Sequence, residues 1–210
     1  MSRKPTDRTD DAGPRQSADR RVRIDVQRNL DALLQSAKAV FATSGVDAPV
    51  REIAEKAGVG VGTLYRHFPE RSDLITAVFR HEIDACADAA PILAAEHPPF
   101  EALARWLQRY AAFITAKRGL APALHSGNPA FEPLRGYFEQ RVRPALRPLL
   151  ESAVAAGEVR GDVDADDILG AVASLCSSAH NDGPGRSERM VALFADGLRY
   201  GTTPSRQSTT

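Results

Sequence analysis

Apolar residues along this chain recur at intervals of three and four, the period of an amphipathic helix, and nowhere alternate with period two for long enough to make a strand. From Val26 to Ser44 the positions Leu30, Leu33, Leu34, Ala37, Val40 and Phe41 form one such stripe, which Gly45 ends. A second, short helix is predicted over Val50–Ala57, announced by Asp47 and Pro49 and stopped by Gly58. Val61–His67 follows as a third. Pro69 then breaks the chain, and Ser72 or Asp73 caps a fourth helix running from Leu74 towards Ala90. Beyond Pro98, the segments Glu101–Ala116, Phe131–Ala156, Ala165–His180 and Glu188–Tyr200 each carry an apolar stripe. They are separated by Pro98-Pro99, Gly127-Asn128-Pro129, Gly157 and Asn181-Asp182-Gly183-Pro184. Pro144 and Pro148 remove backbone donors and are expected to kink or split the 131–156 helix.

The pattern predicts an all-α chain in four parts. Residues 1–22, without apolar periodicity, form a disordered arm, residues 23–72 a three-helix unit, residues 73–201 a larger helical body, and residues 202–210 a flexible tail. Composition (43% hydrophobic, 26% charged) is that of an ordinary globular protein. Cys86 and Cys176 belong to no CxxC pair, so neither a disulfide framework nor a zinc site is indicated. No apolar run approaches the roughly 20 residues that span a bilayer, and the first 25 residues are polar and Arg-rich rather than a signal peptide, so a cytoplasmic protein is expected. The net charge of zero hides an asymmetry: residues 20–72 are mildly basic and residues 73–210 mildly acidic.

Several superficial motifs fail on chemistry. Gly58-Val59-Gly60-Val61-Gly62 resembles a dinucleotide loop but follows a helix, and Thr63 stands in the third glycine's place. Asp162, Asp164, Asp166 and Asp167 mimic the start of a calcium loop, yet Asp167 replaces its glycine and Ala173 its closing glutamate, so helix capping is the better account. His97, His125 and His180 are scattered, and no nucleophile–base or paired-carboxylate spacing is present; no catalytic site, metal site or cofactor is expected.

The segment from Val50 to Phe68 places two short helices on either side of about three residues containing Gly58 and Gly60, the spacing of a helix-turn-helix. Ile53, Ala54, Ala57, Val59, Leu64 and Phe68 fit its inward side, with Ala54 small where the helices cross. Its outward side is then Val61, Gly62, Thr63, Tyr65, Arg66 and His67, a mixture suited to a phosphate-lined groove.

In these residues the chain resembles the TetR/AcrR family of transcriptional regulators. The likeness runs over residues 26–76 through Val50, Arg51, Glu52, Ile53, Ala54, Ala57, Gly58, Val59, Gly62, Thr63, Leu64, Tyr65, His67, Phe68, Arg71 and Leu74, with a resemblance to an SbtR-like branch at Lys117-Arg118-Gly119-Leu120. The resemblance implies a three-helix DNA-binding domain followed by a C-terminal helical ligand-binding and dimerisation domain. The implied function is a homodimeric repressor that leaves a palindromic operator in double-stranded DNA when a small-molecule effector binds. The fourth helix would be re-aimed by that effector.

Within that picture Arg66 is the candidate base reader. Thr63, Tyr65, His67 and Arg71 are candidate phosphate ligands, Arg51 is a base or phosphate contact, and Gly60 and Gly62 permit close backbone approach. Tyr65 has a second reading as a packing residue, and His67 one as a plain surface residue. The basic and acidic arm (Arg3, Lys4, Arg8, Arg15, Arg20, Arg21 and Arg23 among Asp7, Asp10, Asp11 and Asp19) is either a DNA-tracking segment or a solvated tail.

Aromatics in the body concentrate at Phe100, Trp106, Tyr110 and Phe113, then at Phe131, Tyr137 and Phe138. With Phe79, Cys86, His125 and Cys176 they are expected to line an apolar pocket, or equally to be solid core. Ile168, Val172, Leu175 and Cys176 with Met190, Leu193, Phe194 and Leu198 offer stripes for a dimer interface or for packing inside one subunit. Two further readings stand: a constitutive DNA-binding protein without a ligand, whose sign would be a solidly packed body, and a helical enzyme, which leaves the helix-turn-helix unexplained.

Overall fold

A computed structural model describes residues 14–117, 120–177 and 185–200; side chains before residue 29 are not described. The arm residues 1–13, Arg118 and Gly119, the Asn181–Pro184 break, His180 and the tail from Gly201 lie outside the described residues. The helices in chain order are α1 Pro14–Ser44, α2 Val50–Ala57, α3 Val61–His67, α4 Arg71–Glu96, α5 Pro99–Lys117, α6 Ala121–Leu124, α7 Pro133–Ala155, α8 Ala165–Ser177 and α9 Arg186–Gly197, with a short 3-10 turn at Pro129–Phe131 before α7. No strand occurs among the described residues.

The periodic stripes become the buried faces. On α1, Leu33, Leu34, Ala37, Val40 and Phe41 are buried, and the helix stops where Gly45 takes a φ of +78°. Gly58, at φ +68°, closes α2 and lets the Val59 N–H return to the Ala54 carbonyl at 3.0 Å. The fourth helix starts at Arg71 rather than Leu74. Its cap is a reciprocal box in which Asp73 accepts the Glu70 N–H at 3.0 Å, so Asp73 caps from inside the first turn.

α4 packs against α1, α5 and α7, while α5 packs against α4, α7, α8 and α9. The latter buries Ala102, Leu103, Trp106, Leu107, Tyr110, Ala111 and Phe113, too wide an arc for a surface helix, and so forms the axis of the body. Apolar residues from Leu33 to Leu198 belong to one continuous core that runs through α4 from the first three helices into the body.

Three expectations fail, each at a helix interior or end. Prolines do not interrupt α7: Pro144 and Pro148 lie inside it, one turn apart on its exposed face, where water can reach the carbonyls they leave without a helical donor. Pro91 is likewise inside α4 and exposed, so α4 runs on to Glu96. Residues 14–22, expected as part of a disordered arm, are helical: Pro14 occupies a first-turn position, and no glycine or further proline follows until Gly45.

Trp106 is fully buried, and its indole N–H donates to the Cys86 carbonyl at 3.0 Å, so the largest side chain of the core carries no unmet donor. Trp106→Ala is expected to destabilise the fold by about 3–5 kcal/mol, read as a fall in the urea midpoint by circular dichroism. A loss below about 1 kcal/mol would show that the surrounding helices collapse into the space.

Candidate nucleic-acid interface

α2 and α3 meet through Ile53, Ala54 and Leu64, all buried, with Ala57 and Val59 packed at the margin and Phe68 closing the far end. The turn is held by backbone bonds, the Thr63 N–H to the Gly60 carbonyl at 2.9 Å and the Phe68 N–H to the Leu64 carbonyl at 2.8 Å. This frame turns Val61, Gly62, Thr63, Tyr65, Arg66 and His67 to solvent together. Half of the Tyr65 surface is accessible (51%), which argues against a packing role across the helices.

Arg66 has no ion pair or hydrogen bond among the described residues, so its guanidinium is available to an external acceptor. Arg51 is exposed and pairs only with Glu55, one turn away on the same helix, at 3.2 Å; such a contact is easily exchanged. Gly60 and Gly62 have no positive φ, and a methyl group at either would meet nothing closer than 3.8 Å. The fold therefore has no steric need of glycine at either position, and both stand exposed on the side of the unit that carries Arg66.

Arg71 departs from its expected role. Its Nε donates to the Val46 carbonyl at 2.5 Å and its Nη2 to the Ala48 carbonyl, which ties the α1–α2 loop to the first turn of α4. Half-buried and so engaged, the side chain braces the reading unit from behind instead of extending towards a phosphate.

The expected pocket residues do not surround one cavity. Trp106 stacks on Tyr110 with ring centroids 5.7 Å apart, Tyr110 on Phe113 at 6.2 Å, and Phe113 contacts Phe79 at 5.7 Å and Phe138 at 5.9 Å. Trp106, Tyr110, Phe113, Phe79 and Cys176 are buried, and the stack is solid. Burial raises the Tyr110 pKa and pushes the Cys86 thiol up to about 12, so both stay neutral.

Tyr137 lies at the α4–α7 surface, where its hydroxyl donates to the Asp84 carboxylate at 2.7 Å, beside Arg141. His125 is exposed at the end of α6, its Nδ1 2.8 Å from the Ala121 carbonyl. Phe131 floors a separate open groove against Val46, Arg71 and Ile75. What Tyr110 and Phe138 do line is a half-open groove of about 490 Å³ between α5, α7 and α8, with Leu169 and Ala173 on its walls and an Arg143–Asp166 ion pair among its polar groups. Arg143 stands outside any apolar pattern, which hides it from a search for pocket residues, and Asp166 is legible in the sequence only as one of the helix-capping aspartates.

The α8 and α9 stripes divide. Ile168, Val172, Cys176 and Leu198 are buried within the subunit, so they cannot form an interface with a second copy. Leu175, Met190 and Phe194 are half-buried, and Leu193 is 66% exposed. Among the described residues no group of three His, Cys, Asp or Glu side chains is placed to hold a metal ion, and no helix is long and apolar enough to cross a membrane.

Comparison with known proteins agrees with this geometry. Residues 33–78 match the family described as bacterial regulatory proteins, tetR family, and residues 98–200 the C-terminal domain of SbtR-like transcriptional regulators. An HTH-type transcriptional regulator of Staphylococcus aureus strain USA300 is 36% identical over 64 residues, 30% of this chain and 35% of that protein, so the likeness spans about a third of the curated relative. The crystal structure of a TetR transcriptional regulator from Streptomyces coelicolor is 40% identical, with a TM-score of 0.71 over 80% of this chain and 97% of that one. A TetR transcription regulatory protein from Mycobacterium vanbaalenii is 34% identical, with a TM-score of 0.65 over 85% and 99% of the two chains. With a relative this similar matched over nearly its whole length, and with the helix-turn-helix ahead of an SbtR-like body, the chain belongs to the TetR family of transcriptional regulators.

Proposed function

We propose that this regulator is a cytoplasmic homodimeric repressor that binds a palindromic operator through two copies of α3 and is released by a small, largely apolar molecule held in the α5–α7–α8 groove. The observation that carries the DNA contact is the α3 face on which Arg66 stands exposed without an internal partner, flanked by Thr63 and two glycines that the fold does not itself require. A guanidinium so placed reaches guanine O6 and N7 together in the major groove. Two such helices must stand near one DNA turn apart, roughly 34–36 Å, which calls for a symmetric pair. Leu193, with Met190, Phe194 and Leu175 around it, supplies an unpartnered apolar face on α8 and α9 for that pairing.

The effector site rests on volume and chemistry. The groove falls within the roughly 300–1,000 Å³ typical of small-molecule sites. Its aromatic and aliphatic wall suits an apolar body, and its few polar groups suit orientation. The solid Trp106–Tyr110–Phe113 stack favours a second reading, a constitutive DNA binder with no effector.

Operator selection followed by fluorescence anisotropy tests the DNA contact. Arg66→Ala is expected to lose about 1–3 kcal/mol on the selected site and to relax preference at one base pair per half-site. Arg71→Ala is expected to lower the melting temperature as well as affinity, because the brace to the 46–48 loop is lost; uniform weakening by Arg66→Ala would remove its base-reading role. For the dimer, Leu193→Asp should shift the light-scattering mass from two subunits to one, and an unchanged mass would place the interface elsewhere. A thermal-shift screen of apolar metabolites, retested with Phe138→Ala, checks the groove: hits should lose their stabilisation in that variant and weaken operator binding in the parent. Stabilisation without any effect on DNA binding would favour the constitutive reading.

A further inference from the structure

Tyr110 keeps a hydroxyl that the fold does not use. The residue is 2% exposed, its ring is held by Trp106, Phe113 and Phe138, and its oxygen meets no donor or acceptor among the described residues. Withdrawing such a group from water without a partner is costly. Two side-chain oxygens among the described residues are fully enclosed and unpartnered, Thr76 Oγ1 and Gln108 Oε1, and the Tyr110 hydroxyl is not one of them. The small part of Tyr110 that solvent reaches therefore includes the hydroxyl, and it is reached from the α5–α7–α8 groove that Tyr110 lines. The other polar groups of that groove are charged, about half-exposed or more, and already paired: Arg143 of α7 with Asp166 of α8, and Glu139 with Arg135 one turn away. Phe138, Leu169 and Ala173 make the rest of the wall apolar. Two thiols, Cys86 and Cys176, are the titratable groups that act on the Tyr110 hydroxyl, with no cation or carboxylate among them. Burial keeps the phenol protonated, so it offers a donor.

We infer that the groove takes an uncharged apolar carbonyl compound, a ketone or an ester, whose oxygen accepts a hydrogen bond from the Tyr110 hydroxyl while its hydrocarbon part lies on Phe138, Leu169 and Ala173. The inference rests on the reading of this groove as the effector site and adds the chemistry of the ligand. A pure hydrocarbon would leave the hydroxyl unmatched. A charged head group at Tyr110 would be desolvated with no opposite charge beside it. A ligand held by its charge on Arg143 would have to displace Asp166 and would still leave Tyr110 unanswered. An alcohol would bring a donor of its own to a wall of Phe138, Leu169 and Ala173 side chains that cannot accept it. A carbonyl oxygen, which accepts and does not donate, is the group that meets the hydroxyl and leaves nothing over.

Trp106 is the single tryptophan, so its indole N–H gives one signal in a ¹H–¹⁵N correlation spectrum of the full-length protein, from a ring stacked on Tyr110. That signal follows titrations with acetophenone, with its hydrocarbon isostere α-methylstyrene and with benzoate. Acetophenone is expected to shift it saturably. Tyr110→Phe, which removes one oxygen and keeps the ring, should weaken acetophenone by about fivefold and leave α-methylstyrene unchanged. Phe138→Ala should weaken both and Arg143→Gln neither, and benzoate should bind the parent at least about tenfold more weakly than acetophenone. Without ligand, Tyr110→Phe should melt no lower than the parent, because the fold loses no hydrogen bond. Undiminished acetophenone binding in Tyr110→Phe, equal weakening of ketone and hydrocarbon, weakening by Arg143→Gln, benzoate binding as tightly as acetophenone, or a lower melting temperature in unliganded Tyr110→Phe would each overturn the carbonyl contact. The two readings also fail separately. If both probes bind and Phe138→Ala weakens both while Tyr110→Phe weakens neither, the groove stands as the effector site and the ligand chemistry falls; if neither probe moves the Trp106 signal, both fall.

Discussion

One helix has to satisfy two cores at once. Along α4 the residues Leu74, Ile75, Val78 and Phe79 and then Ile83, Cys86, Ala87 and Ala90 are all buried, yet the helix packs against α1 of the reading unit as well as against α5 and α7 of the body. Each large aliphatic or aromatic side chain so buried contributes about 1.5–3 kcal/mol relative to exposure, so prising α4 from either neighbour is costly. The reading unit is therefore no bead on a flexible string. Its orientation is set by the body through a shared apolar surface, and Arg71 adds a polar anchor at the point where that surface begins.

The reading unit was largely legible in the sequence because its determinants are local. Gly45 and Gly58 stop helices by adopting positive φ, and Ile53, Ala54 and Leu64 sit at spacings that only one helical register buries. Exposure of Thr63, Tyr65, Arg66 and His67 follows from the same register. Arg71 was not legible in this way: its acceptors lie at Val46 and Ala48, residues well before it in sequence, and only the closed fold brings them to its guanidinium. Proline rules misled at Pro144 and Pro148 for a related reason, since the cost of a missing donor falls where the orphaned carbonyl can reach water, and both prolines face outward.

The body was legible in outline and not in its use of aromatics. A periodic stripe of Trp106, Tyr110 and Phe113 is compatible with a hollow or a filled interior, because both bury the same residues; which one forms depends on the rings that arrive from α4 and α7. Phe79 and Phe138 fill the gaps, and the remaining space moves outward to the groove walled by Leu169 and Ala173. A similar ambiguity divided the last two helices. One edge of each stripe, with Ile168, Val172 and Leu198, turns in towards α5, whereas Leu193 turns away; a list of apolar positions does not separate the two edges.

The length of α4 gives the Arg71 brace a mechanical meaning. At 26 residues the helix is about 39 Å long, and the brace pins its first turn to the loop that launches α2. That makes the first turn a fulcrum and the buried stretch from Ile83 to Ala90 the long arm of a lever. At about 18 Å from the fulcrum, a sideways shift of about 1 Å at Ile83 turns the helix by about 3°. The loop held by Arg71 must follow that rotation, because its two carbonyls are gripped by the helix that turns. A small repacking inside the body would thereby be geared to an angular change at the reading face.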